Sequence, residues 1–138
     1  MSRDGRWLAF VSDQSGTDQV YVRALKGDGD VVQVSQNGGS EPVWASNGRE
    51  LFYRGGSEGT IDLISASITS SAGFEITSRQ KLFSLADIVA ANPHANYDIS
   101  PDGRTFVMVR RSPSQRIIIL QNLPQLVARI RDQGTPRN

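Results

Sequence analysis

An all-β fold built from a repeated hairpin unit is what this sequence predicts, on three observations. The stretch Asn96–Arg110 reads as strand, tight turn and strand around Ser100-Pro101-Asp102-Gly103. It recurs at Glu41–Arg54 around Ala45-Ser46-Asn47-Gly48, and at Ser2–Ser12, where only the turn at Asp4-Gly5 and the strand after it remain. The spacing is that of a blade: Gly5 to Gly48 is 43 residues, against roughly 40–45 for a four-stranded propeller unit. Gly48 to Gly103 is 55, the same unit with about a dozen residues inserted in its outer loops. The following strands keep step, with Val20 15 after Gly5, Leu63 15 after Gly48 and Ile117 14 after Gly103. The expectation is a partial β-propeller of four-stranded antiparallel blades, about two and a half of them, with a short C-terminal helix.

The elements follow in order. Arg6 to Ser12 is apolar and aromatic enough for a strand, and Asp13–Asp18 is a polar, Gly-containing turn. Gln19 to Leu25 is the next strand, Lys26–Asp30 a loop, and Val31 to Ser35 a short third strand. After Gln36–Ser40, Pro42 suits the first residue of a strand because it has no amide hydrogen for a ladder. Arg49 to Arg54 then repeats the first strand and Ile61 to Ile68 is read as the outer strand, followed by a small-residue loop at Thr69–Gly73. Gln80–Phe83 is a short strand, and Leu85 to Ala95 an irregular connection. Arg116–Leu120 is a β-branched run of the kind buried on both faces. Beyond it Leu123, Leu126, Val127 and Ile130 fall on one face of a helix, with Asn122 as N-cap and Gly134 and Pro136 at its end. The blades are expected at about residues 1–37, 38–92 and 93–122, with the helix and tail at 123–138.

The repeated turn has a physical reason. Pro101 fixes φ near −65° at the first corner, Asp102 can bond its own backbone, and Gly103 takes the positive φ that rejoins the next strand. The middle copy keeps Asn47-Gly48 without the proline, and the first has Arg3 in its place. These Asp residues are read as turn-formers, not ligands or catalysts.

Ser-Pro-Asp-Gly-Arg at 100–104, alternating apolar residues after it, and a Val-Tyr-Val strand such as 20–22 resemble the WD40-like PD40 repeats of bacterial β-propellers of the TolB type. The resemblance covers nearly the whole chain and implies binding, not catalysis, and a periplasmic or other extracytoplasmic setting. Ile118–Leu123 is also similar to the close of propellers attached to bacterial serine/threonine kinases, although Leu123 stands where those tend to carry an aromatic residue. No kinase motif occurs in the chain itself.

Composition agrees with a water-soluble domain. At 138 residues, 38% hydrophobic and 21% charged, the chain can bury a core. No apolar run approaches the ~20 residues of a membrane span, and repeat sequence follows Met1 directly, so neither a span nor an export signal is expected in the chain as written. The absence of cysteine removes disulfides and zinc-thiolate sites together. The net charge of +1 is uneven: residues 1–103 carry −5 and residues 104–138 carry +6. A solvated basic end, or one resting on the acidic body, is preferred over nucleic-acid or other polyanion binding.

No catalytic set, cofactor or metal site is predicted. His94 is the single histidine, no Gly-x-Ser-x-Gly occurs, and Asp28 with Asp30 lacks the other ligands of a calcium loop. Gly38-Gly39 and Gly55-Gly56 lie between strands, not before helices, which argues against phosphate binding. Trp7, Phe10, Trp44, Phe52 and Tyr53 are read as packing between sheets and not as a stacking platform. A binding site is placed at the loops leading into the innermost strands, with Glu41, His94, Asn96 and Tyr97 as its residues.

Closed propellers have typically 4–8 blades, so remaining blades from a longer protein, or self-association, are expected to cover the open edges. The function expected is a non-catalytic scaffold for a protein or peptide partner. The alternative is the sensor or substrate-gating propeller of a multidomain kinase or peptidase.

Overall fold

The computed structural model describes residues 1–27, 29–56, 60–70, 73–90 and 95–110 in full, and the backbone of 116–120. Among the described residues ten strands form three antiparallel sheets whose strand order is the order of the sequence. The first sheet holds β1 (Trp7–Ser12), β2 (Gln19–Ala24) and β3 (Val32–Gln33). The second, a complete four-stranded blade, holds β4 (Ser40–Trp44), β5 (Glu50–Gly55), β6 (Asp62–Thr69) and β7 (Glu75–Ser84). The third holds β8 (Tyr97–Ile99), β9 (Phe106–Arg110) and β10 (Arg116–Leu120). The partial propeller predicted from the repeats is the fold observed. The helix expected at 123–138 lies outside the described residues.

Three differences from the sequence reading have physical causes. β7 runs for 10 residues where only Gln80–Phe83 was expected, because an outermost strand is solvated along one side and tolerates the polar run Glu75–Lys81. Consequently β6 is an interior strand, paired with both β5 and β7, and not the outer one. Pro42 lies inside β4 instead of opening it, at a register shift between Ser40 and Val43, since a bulge on an edge strand needs no proline donor.

The three turns are copies in detail. Gly5, Gly48 and Gly103 have φ of 70°, 66° and 69°, and each donates its N–H to the carbonyl three residues back, Ser2, Ala45 and Ser100, at 3.0, 3.0 and 2.8 Å. Asp4, Asn47 and Asp102 each accept the N–H two residues on, at 3.1, 2.8 and 3.0 Å. Ser2 and Ser100 add a hydroxyl that donates to the aspartate and accepts a strand N–H, from Trp7 at 2.9 Å and Thr105 at 3.0 Å. The aspartates are thus committed to folding, and a glycine is required only because the chain must turn through positive φ.

A pH consequence follows. The Ser2 hydroxyl, then the Arg6 N–H and guanidinium, hold the Asp4 carboxyl down from 3.8 to about 2, and Asp102 is lowered by Ser100 and the Arg104 N–H. Because both folded values are depressed, the stability each contributes is complete above the ordinary value of 3.8 and is lost as pH falls through the folded value, about 2 for Asp4. A carboxyl carbon titration by NMR should find the Asp4 midpoint near 2, and Ser2→Ala should raise it toward 3.8.

Two clusters hold the sheets face to face. Val20 and Val22 of the first sheet, with Val34 just past β3, pack on Leu51, Tyr53, Ala66 and Ile68 of the second, with Trp7, Trp44 and Phe74 at the side. Phe74 places its ring 5.1 Å from Trp7 and 6.2 Å from Trp44. Phe52, Leu63 and Leu82 of the second sheet, with Leu85 beyond its last strand, pack on Tyr97, Ile99, Phe106 and Met108 of the third. Arg79 reaches across the first interface to donate to the Val34 carbonyl at 2.6 Å. Trp7, Trp44, Phe52 and Tyr53 serve packing between sheets as expected, whereas Phe10 stacks on Tyr21 within the first sheet, 5.7 Å between ring centres.

Gly39 marks a close approach there, since a Cβ on it would lie 2.5 Å from the Cβ of Ser35, itself 1% exposed. Gly39→Ala should therefore cost about 1–3 kcal/mol by overpacking, seen as a lower midpoint in urea.

Candidate functional site

Glu41 is held in an unusual backbone. Its φ is +50°, a left-handed conformation that costs a residue with a Cβ about 1–3 kcal/mol and persists only when neighbours enforce it. The β4 bulge and the following Pro42 supply the setting, and the effect is to turn the Glu41 carboxylate inward.

There the carboxylate meets two partners. Its Oε1 lies 3.5 Å from Nε of Arg54, both side chains being under a tenth exposed. Its Oε2 accepts the backbone N–H of Asn96 at 2.9 Å. The Tyr97 hydroxyl donates to the Glu41 carbonyl at 2.7 Å, and Arg54 donates onward to the Val89 carbonyl at 3.2 Å. Burial, and next the nearby Glu41 charge, push the Tyr97 hydroxyl well above its usual range, against the pull of Arg54. Tyr97 is therefore a neutral donor at any physiological pH.

The network ties β4, β5, β8 and the 85–96 connection together. Three of the four residues expected at the site, Glu41, Asn96 and Tyr97, are brought into contact by it. The fourth, His94, lies outside the described residues. Arg54 was missed: in the sequence it is only the last charged residue of a strand, and nothing in the pattern shows that a bulge will aim Glu41 at it. Among the described residues the Asn96 side-chain nitrogen is buried without a hydrogen-bond partner.

Beside the network opens a cleft of about 840 Å³. Phe10, Val11, Ser12, Asp13 and Asp18 line its first-sheet side, and Ser40, Glu41 and Pro42 face them, with Ala90 and Ala95 at the third. Its lining is half apolar and half polar, with three carboxylates among the polar residues, and it lies between the edge of β1 and the first residues of β4. Among the described residues no group of three metal-ligating side chains occurs. No helix among them is long and apolar enough to cross a membrane.

No protein-family model matches the chain, and no curated protein matches it. Among solved structures it is similar to a TolB-type protein from Agrobacterium tumefaciens, with a TM-score of 0.62 and 21% identity over 88% of this chain and 40% of that one. It is likewise similar to TolB from Acinetobacter baumannii, with a TM-score of 0.63 and 14% identity over 87% of this chain and 29% of that one. The chain thus spans well under half the length of either. The likeness establishes the fold, a segment of a TolB-like β-propeller.

Proposed function

We propose that this propeller segment is a non-catalytic scaffold that binds a protein or peptide partner in the cleft between β1 and β4. The observation that carries the reading is the cleft itself. One wall is fixed by a buried ion pair and a strained residue, a cost the fold bears to hold the Ser40–Pro42 segment of β4 in one place. Its lining sets apolar and polar side chains side by side in equal number, close to the make-up of a protein–protein contact surface. The PD40 resemblance points the same way, toward binding in an extracytoplasmic setting with further blades completing the ring.

Random-peptide display on the immobilised chain tests this. A single consensus should be enriched, and its binding should be lost with Ala95→Trp, which fills the cleft from an exposed position. Enrichment of nothing, or of peptides indifferent to Ala95→Trp, would sink the reading.

A second arrangement, the sensor propeller of a serine/threonine kinase, is favoured only by the run Ile118–Leu123, in which Leu123 departs from the aromatic residue usual there. A kinase domain in the same reading frame would support it.

A further inference from the structure

We propose that Asn37 is a covalent modification site, an asparagine that converts without an enzyme to aspartate and isoaspartate through a cyclic imide formed with Gly38.

The chain contains two Asn-Gly pairs, Asn37-Gly38 and Asn47-Gly48. Asparagine is a thermolabile residue, and a following glycine has no Cβ to keep its nitrogen away from the asparagine Cγ. The two pairs share this chemistry and differ in what holds them. At Asn47 both reacting groups are engaged. The Gly48 N–H donates to the Ala45 carbonyl at 3.0 Å, and Oδ1 of Asn47 accepts the Arg49 N–H at 2.8 Å. The same two bonds close Asp4-Gly5 and Asp102-Gly103.

Asn37-Gly38 has neither bond. Among the described residues the Gly38 N–H meets no hydrogen-bond acceptor and the Asn37 amide no partner, and Asn37 is exposed. The pair belongs to an arch fastened at its two feet. Ser35 accepts the Val20 N–H on its hydroxyl at 2.9 Å, and the Gly39 N–H donates to the Asp18 carbonyl at 2.8 Å. Gln36, Asn37 and Gly38 span the distance between those feet, so turning about the bonds of Asn37 brings its Cγ to the Gly38 nitrogen without breaking a hydrogen bond of the sheet.

The reaction balances with water as co-reactant. The Gly38 nitrogen loses its proton to solvent base and bonds to Cγ of Asn37. The Cγ–Nδ2 bond breaks, and the amide nitrogen takes up a proton and leaves as ammonia. Water then opens the imide at one of its two carbonyls. One opening gives aspartate with the original main chain, the other isoaspartate with the main chain routed through the former side chain. Both products carry a carboxylate that asparagine lacks. It arises beside Gly38, where a Cβ would touch the Asp18 carbonyl at 3.8 Å, on a rim that already exposes Asp13 and Asp18.

The test incubates the full chain in mildly alkaline buffer made with heavy-oxygen water and follows it by anion exchange and peptide mass spectrometry. Trypsin releases both sites on one peptide, Gly27–Arg49, so fragmentation compares them within the same molecule. Asn37 should gain a heavy-oxygen carboxylate at least about tenfold faster than Asn47, since two hydrogen bonds must open before Asn47 can react. An acidic, later-eluting species should grow in step with it, and Asn37→Gln should remove that species. In guanidinium chloride the two rates should converge, because the fold alone separates two sites of the same dipeptide.

Equal conversion of the two sites in the folded chain, or faster conversion of Asn47, overturns the proposal. So does a difference between them that survives guanidinium, which would belong to the flanking sequence and not to the arch. An Asn37 that stays unconverted in buffer over the time that converts it in guanidinium overturns it as well.

Discussion

Phe106→Ala is expected to destabilise the chain by about 3–5 kcal/mol, read as a lower urea midpoint at unchanged slope. The side chain is fully buried and its ring meets three others edge-on, Phe52 at 5.0 Å, Phe83 at 6.0 Å and Tyr97 at 6.3 Å. Those rings come from two sheets, so truncation leaves a cavity in the interface and not within one sheet. Whole domains of this kind are stable by about 5–15 kcal/mol, and the variant should be close to unfolding. Val107→Ala, one residue on and 41% exposed, should change stability by no more than about 0.5 kcal/mol. Equal costs for the two would mean that the faces of β9 are wrongly assigned.

Arg54→Met is expected to cost about 3–5 kcal/mol, because it leaves the buried Glu41 carboxylate without a counter-charge. Glu41→Gln added to it should recover much of that loss, since a neutral amide can still accept from Asn96 and needs no cation. The pair is thus expected to show strong coupling in a double-mutant cycle. An Arg54→Met midpoint within about 1 kcal/mol of wild type would falsify the buried ion pair, that being the range of an exposed one.

Much of the fold was legible because the turns carry their own chemistry. Asp4-Gly5, Asn47-Gly48 and Asp102-Gly103 announce positive φ and side-chain to backbone bonds locally, and their spacing sets the blade length. What failed was non-local. The polar face of β7 hides a strand because the sheet, and not the residue pattern, pairs it. Phe74 falls between the expected loop at Thr69–Gly73 and the expected strand at Gln80–Phe83, yet its ring lies within reach of both Trp7 and Trp44. At the site, the loops leading into the inner strands drew attention to Glu41, Asn96 and Tyr97 by position alone. Arg54 stayed invisible because its partner depends on a bulge and a φ of +50° at Glu41, neither of which leaves a mark in the sequence.

Every strand in the three sheets is hydrogen-bonded to a neighbour adjacent in the chain. In genetic consequence, an unequal crossover that duplicates or deletes one interval of 43 residues adds or removes a complete blade without breaking a ladder elsewhere. Such an event must repair only the contact between faces, where Arg79, Phe74 and the rings around Phe106 lie.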